Sequence, residues 1–191
     1  MIGLLASALI SASASAAELV STCRAMIPES VELSGQIVMR SRRGITMAEH
    51  DYVLRREKGF THLSIDGAAL DLAKEEKTAS LLGTDVTVSD LTLDYLWWND
   101  VSFDAEREGE SVNACVCSVV VLRQGARTVR AWIDRKTGAL MQAEEWREDK
   151  PVRRLWGTRL KKFGDRWMAN VLEVETLSSG HRTKITVETL T

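Results

Sequence analysis

Little in this chain is of the kind that usually announces a chemistry. Three cysteines, three histidines and two prolines are spread over 191 residues. An odd number of cysteines excludes a fully paired disulfide scaffold, and a domain of this length buries enough surface to fold without staples. His50, His62 and His181 are scattered, with no H-x₃-H or E-x-x-H spacing, so no zinc set is written here and no metal or other cofactor is expected. Basic residues are not in excess: 25 Lys+Arg stand against 27 Asp+Glu, which argues against a general nucleic-acid binder. No G-x-S-x-G marks a hydrolase elbow, and no apolar run approaches the ~20 residues that cross a bilayer. Aromatics are sparse, but six of the eleven are Trp, all at or after Trp97.

The N-terminus carries no charge. Met1 to Ala17 reads MIGLLASALISASASAA. The apolar stretch Ile2–Ile10 is followed by small residues, and both Ala14-Ser15-Ala16 and Ser15-Ala16-Ala17 suit an A-x-A-like processing site. The expectation is a secretory signal peptide over residues 1–17, cleaved near Ala16 or Ala17, ahead of one domain over residues 18–191. Export would permit disulfides. Cys115 and Cys117, two apart in a strand, share a face. They read either as buried small hydrophobes or, one of them, as a partner for Cys23.

Leu19, Cys23, Met26 and Ile27 fall at helical spacing, giving a helix over Glu18–Ile27 that Pro28 stops. From Val31 the pattern alternates as in strands: Val31–Arg40, Ile45–Glu57 and Thr61–Ile65. Ala68–Leu82 reads equally as short strands or a helical turn. Thr87 with Asp90 three residues on resembles a capping box, predicting a short helix over Val88–Leu96. Seven strands follow at hairpin spacing: Val101–Glu106, Ser111–Arg123, Thr128–Asp134, Leu140–Glu148, Val152–Phe163, Trp167–Leu177 and Thr183–Leu190. About ten antiparallel strands tend to curl or close. The fold class is therefore mainly β (α+β): a strongly curved antiparallel sheet or incomplete β-barrel with short helices over its concave face.

Several residues invite a functional reading. Leu91, Tyr95 and Trp98 lie at i, i+4 and i+7, a helix face that could close over a concave sheet, with Gly83 lending backbone freedom before it. The alternative is fixed core and a plain turn. Asp85 and Asp90 could form an acid–base pair, but no nucleophile or metal set accompanies them. Capping and the helix dipole account for Asp90, and a local side-chain–backbone bond in the turn accounts for Asp85. No catalytic residue is assigned. The tryptophans read as sheet core or as cavity lining. The basic run Arg153-Arg154, Arg159, Lys161-Lys162 and Arg166 reads as a solvated sheet face or as a contact for anionic head groups.

Leu81–Trp98, LLGTDVTVSDLTLDYLWW, resembles a segment of the bacterial outer-membrane lipoprotein-sorting proteins, the LolA/LolB-like superfamily, in its uncharacterised members. The likeness rests on Gly83-Thr84-Asp85, on Asp90-Leu91 and on the aromatic helix end. Cys115 at a strand start, the Ala131–Leu140 hairpin AWIDRKTGAL, the Trp167 strand and Arg182-Thr183-Lys184 extend it. The resemblance implies an incomplete barrel lidded by short helices. It also implies a non-enzymatic role, in which the acyl chains of a lipoprotein or other lipid are bound in an apolar cavity while crossing the periplasm toward the outer membrane. Leu91, Tyr95, Leu96, Trp97, Trp98, Trp132 and Trp146 are then the cavity and lid candidates, and Gly83, Thr84, Asp85 and Asp90 the motif residues. The implied partners are an acylated lipoprotein or lipid and inner- or outer-membrane transport components; a monomer and no nucleic acid are expected. A periplasmic sensor on the same fold, similar to RseB-type anti-sigma regulators, is the alternative.

Overall fold

The computed structural model describes residues 14–57, 59–72, 74, 76–164 and 166–191, with backbone alone at 160, 166 and 167. Of the signal peptide expected over residues 1–17, residues 1–13 lie outside the described residues. Helix α1 (Ala16–Ala25) begins two residues before the expected start, because Ser15 caps it. The Glu18 N–H donates to the Ser15 hydroxyl at 3.2 Å, and the Ser15 N–H donates back to the Glu18 carboxylate at 2.6 Å. This reciprocal box satisfies two donors that a bare helix end would leave free.

Twelve strands follow: β1 (Ser30–Arg40), β2 (Thr46–Glu57), β3 (Phe60–Ile65), β4 (Ala68–Leu70), β5 (Asp100–Phe103), β6 (Ser111–Val112), β7 (Cys115–Gln124), β8 (Arg127–Asp134), β9 (Leu140–Arg147), β10 (Lys150–Phe163), β11 (Arg166–Thr176) and β12 (His181–Leu190). They form one antiparallel sheet in the order β4-β3-β2-β1-β12-β11-β10-β9-β8-β7-β5, with β6 beside β7. The sheet does not close; its two ends are the short strands β4 and β5, a length that limits edge-to-edge pairing. The ambiguous stretch after Asp66-Gly67 is thus one short strand followed by turns.

The join between the N-terminal hairpin and the C-terminal strand depends on Gly35. β1 bulges between Ser34 and Gly35, and a Cβ on Gly35 would lie 1.8 Å from the Thr186 carbonyl oxygen. No other residue fits without moving β12.

Alternation sorts the two faces. Facing inward are Ile37 of β1, Tyr52 and Leu54 of β2, Leu63 and Ile65 of β3, Leu155 of β10, Val174 of β11 and Ile185 of β12, joined by Leu81, Val86 and Val88 of the 71–99 connection in one apolar cluster. A second cluster packs Leu19, Val20 and Cys23 of α1 against Val120, Leu122, Val129, Ala131, Ile133 and Ala143 of the sheet, with Tyr95, Leu96 and Trp98. Leu93 touches both. The outer face is apolar only around Cys117, Val119 and Trp132 and carries a row of charges elsewhere. Register places Arg182, Glu175, Arg154, Glu144 and Arg130 side by side across β12 to β8, a ladder in which each carboxylate sits between two guanidinium groups.

All three cysteines are free thiols. Cys23 lies in the α1 cluster, whereas Cys117 lies with Val119 and Trp132 in a third cluster. Cys117 shares the Trp132 face of the sheet, opposite α1, so a bridge from Cys23 would have to pass through the sheet.

Candidate functional site

The concave side of the sheet is filled by the chain's own segment 80–98. A small hairpin opens it: the Leu81 N–H donates to the Val86 carbonyl at 2.8 Å, and Ser80 bridges Thr87. Its turn uses Leu82 (φ 48°) and Gly83 (φ 72°), both left-handed, a conformation glycine adopts freely and leucine does not. Thr84 is buried in the same turn and donates to the Leu81 carbonyl at 2.7 Å. Helix α2 (Val88–Thr92) starts at the expected capping box, Thr87 with Asp90, and the Asp90 carboxylate accepts the Thr87 N–H at 2.8 Å.

The expected helix over Val88–Leu96 does not run through. Leu93 is left-handed (φ 54°, ψ 35°), and a 3₁₀ turn, Asp94–Trp97, continues in a new direction. Leu91, Tyr95 and Trp98 therefore do not share one stripe. Leu91 packs beside the cluster of Ile37 and Val88, while Tyr95, Leu96 and Trp98 are buried in the cluster of α1. The break is what lets one short segment serve both halves of the interior.

A polar layer ties this plug to the sheet. Arg153 of β10 points inward and is only 14% exposed. It pairs with Asp90 and donates to the Asp85 carbonyl at 2.5 Å, with Glu145 at 3.6 Å. Burial works against its charge, but Asp90, then Glu145 and Asp85, hold its pKa above the ordinary guanidinium value. The Asp85 carboxylate accepts from Thr176 of β11 at 2.7 Å and from Thr183 of β12 at 3.2 Å. This corrects the local role expected for Asp85: its partners lie some ninety residues away and fix the plug across three strands. Arg127 of β8 reaches Asp94 at 3.3 Å and Ser89 at 2.9 Å, and lies over the Trp98 ring.

Satisfaction is incomplete at one point. The Tyr95 hydroxyl and Arg127 Nε are buried without a hydrogen-bond partner among the described residues. Burial, with Asp90, Cys23 and Asp94 near, pushes the Tyr95 hydroxyl well above the usual phenol pKa. The space beside Tyr95, Arg127 and Arg153 is about 20 Å³, room for roughly one water and not for a lipid tail.

The plug's far end reaches a larger cavity of about 440 Å³, lined by Arg56, Phe60, Leu72, Thr92 and Trp97 among others. Phe60 is 72% exposed and Trp97 47%. Arg56 lies over the Trp97 ring and donates to the Thr92 carbonyl at 3.0 Å, and burial pulls its pKa below the ordinary arginine value.

Among the sequence candidates, Gly83, Thr84, Asp85, Asp90, Leu91, Tyr95, Leu96, Trp97 and Trp98 belong to the plug. Trp132 and Trp146 do not meet it. They occupy the outer face, where segment 104–114 covers them: Arg107 lies over both rings, Glu110 accepts the Trp132 indole N–H at 2.9 Å, and Arg130 stacks on Trp146 at 3.6 Å. Even-numbered β8 positions face out, so Trp132 points away from Ala131 and Ile133. Arg153 corrects the basic run, since it faces in while Arg154 faces out to Glu144. Arg153 enters the sequence reading only within the basic run, not as an interior partner of the plug, and Thr176, Thr183 and Arg127 carry no sequence signal as site residues; the one available signal is the mixed polarity of both faces of β10.

A family model described as an uncharacterised protein matches residues 40–191. No curated protein matches the chain. A LolA superfamily protein from Nitrosomonas europaea superposes with TM-score 0.70 at 11% identity, covering 93% of each chain. An outer membrane lipoprotein-sorting protein domain from Vibrio parahaemolyticus gives 0.68 at 11% identity, over 92% of this chain and 91% of that one. A DUF1329 family protein from Desulfovibrio piger gives 0.69 at 14% identity, over 92% and 90%. The unclosed antiparallel sheet wrapped around its own plug is the fold of these solved structures, matched over nearly its whole length, and the chain belongs to the family of uncharacterised proteins whose model covers residues 40–191.

Proposed function

We propose that this protein is a periplasmic carrier that takes the acyl chains of a lipoprotein or another lipid onto the concave face, displacing segment 80–98 as it loads. One observation carries the reading: the concave apolar surface is covered by a separate segment that packs into both apolar clusters, is interrupted by left-handed turns and is tied to the sheet by ion pairs. Burying an acyl chain gains ~0.8 kcal/mol per CH₂, so a sixteen-carbon chain represents a gross ~12 kcal/mol. Reversible carriage needs an opposing cost of similar kind. Exposing the apolar side chains of the plug and breaking the Arg153 and Asp85 contacts would supply it. Left-handed leucines at the plug's opening turn and at its mid-segment break, with two unpaired buried polar groups, make the filled state less secure than an ordinary core. Phe60 and Trp97, exposed at the plug's end, offer a first apolar contact for an arriving chain. Export across an inner membrane with removal of the leader belongs to the same proposal.

A non-enzymatic role fits the interior acids. Both carboxylate oxygens of Asp85 accept from Thr176 and Thr183, and Oδ2 of Asp90 accepts from Thr87 and Arg153, groups that hold the plug in place. The test is native mass spectrometry on protein purified from the periplasm, followed by titration with a palmitoylated lipopeptide. The expected result is a one-to-one acylated complex, with faster uptake in Arg153→Gln. Absence of uptake by both wild type and Arg153→Gln, with lipopeptide in excess, sinks the carrier reading and favours a protein-binding sensor.

A further inference from the structure

We infer a second binding site, on the outer face, for a phosphate-type anion. The groove lies between the turn that joins β1 to β2 and the turn that joins β11 to β12. Its volume is about 600 Å³, within the range of small-ligand sites. Its floor is built from Arg40 of β1, Arg182 and Lys184 of β12, and Glu173 and Glu175 of β11, and Arg42 stands in its wall.

The charge pattern points to a ligand. Along the outer ladder every carboxylate has a guanidinium on each side, ending with Arg182 against Glu175 at 3.5 Å. Lys184 is likewise directly opposite Glu173. One strand further the alternation fails, because Arg40 is the cross-strand partner of Arg182. Like charges set opposite each other weaken a sheet. A purely structural ladder would place an acid or a neutral residue there. Arg40 and Arg42 have no ion-pair partner among the described residues. Arg42 is exposed and its side-chain stem passes beside Gly180, where an added Cβ would come within 3.5 Å of its Cδ. Three arginines line one polar groove, and guanidinium is the group whose fork of donors recognises phosphate oxygens. Ser178 and Ser179 of the facing turn line the same wall, the Ser179 hydroxyl donating to the Thr176 carbonyl at 3.4 Å. This site is independent of the concave one: it uses the opposite face of the sheet.

The chemistry is shared by a free phosphate and by a phospholipid head group, and three probes separate them. The purified chain is titrated with inorganic phosphate, with glycerol 3-phosphate and with phosphatidylglycerol vesicles at low and at physiological salt. We expect saturable binding of at least one probe, weakened about tenfold or more in the double variant Arg40→Gln, Arg42→Gln. The melting temperature of that variant should hold or rise, since the Arg40–Arg182 repulsion is relieved. Arg147→Gln, an exposed change outside the groove, should leave binding intact. Binding of the soluble probes assigns the site to a free phosphate compound, and binding of vesicles alone assigns it to lipid head groups. Failure of all three probes to bind saturably, or binding that the double variant leaves unchanged, overturns the inference. Arg42→Gln alone repeats the test should the double variant fold poorly.

Discussion

At the scale of residues, Arg153 decides how firmly the interior is held. It is 14% exposed and its partner Asp90 11%, so neither charge is well solvated. Removing one member of such a pair leaves the other buried and short of its main partner, although Glu145 remains 3.6 Å from Arg153, at a cost of up to about 3–5 kcal/mol, whereas removing both costs much less. Arg153→Met and Asp90→Ala should therefore each lower stability by that order in denaturant titration, and the double variant should lose far less than the two together. Additive losses would mean that the pair does not bind the plug to β10. The Cys23 thiol gives a residue-scale pH prediction. Burial pushes its pKa from about 9 to about 11. Between those values the folded chain keeps a proton that the unfolded chain releases, so stability should fall as pH rises above about 9. At pH 8 the native thiol should react with iodoacetamide about a hundredfold more slowly than the unfolded one. The sequence disclosed the Thr87–Asp90 cap because both members lie in one turn. It did not disclose the pairing of Asp90 with Arg153 or of Asp85 with Thr176 and Thr183, because those partners meet only when β10, β11 and β12 are in register.

At the scale of elements, the plug is bounded by turns that ordinary side chains adopt at a cost. Leu82 and Leu93 are both left-handed, and Leu82 is half exposed, so it contributes little packing in return. The left-handed form costs an ordinary residue roughly 1–2 kcal/mol. Leu82→Asn would create Asn-Gly, the pair best suited to two successive left-handed positions. The variant should gain about 1 kcal/mol in thermal or denaturant unfolding and should load lipopeptide more slowly, because the first hinge of the plug is locked. A gain in stability with unchanged loading would show that this turn is not a hinge. Strands were legible from alternation and turn residues, and the meander β7–β12 was read nearly to its ends. The helix over Val88–Leu96 was over-extended because its apolar spacing suited a single face. The structure divides that spacing between two clusters, and no local rule announces a left-handed leucine. α1 shows the reverse: Ser15 was read as part of a processing site, and its role as a cap emerges only from the reciprocal bonds with Glu18. Cleavage after Ala16 or Ala17 would remove that cap.

At the scale of the whole molecule, the sheet and the plug differ in how they are held. The sheet is one continuous antiparallel ladder from β4 to β5, and its amides exchange only when strands separate. The plug owes its place to a short hairpin, a five-residue helix and one 3₁₀ turn, together with side-chain contacts from β8 to β12. Such a unit opens at lower free energy than the sheet that surrounds it. The two sets of contacts also respond differently to an acyl chain. A tail lying on Leu54, Leu63, Leu155 and Ile185 takes the position of Val86 and Val88 but leaves the ladder of the sheet intact. Hydrogen exchange measured with and without bound lipopeptide separates the cases. The carrier reading predicts that residues 83–98 lose protection on loading while β8 to β12 keep theirs. An unchanged plug with bound lipid would place the chain elsewhere, at the cavity of Phe60 and Trp97. Loss of protection in β1 and β12 would instead mean that the sheet opens at its Gly35 seam, where a bulge already interrupts the pairing. The first pattern is expected, because the Ser80–Thr87 bridge is internal to segment 80–98, the segment meets the sheet through side chains, and none of its backbone extends the ladder.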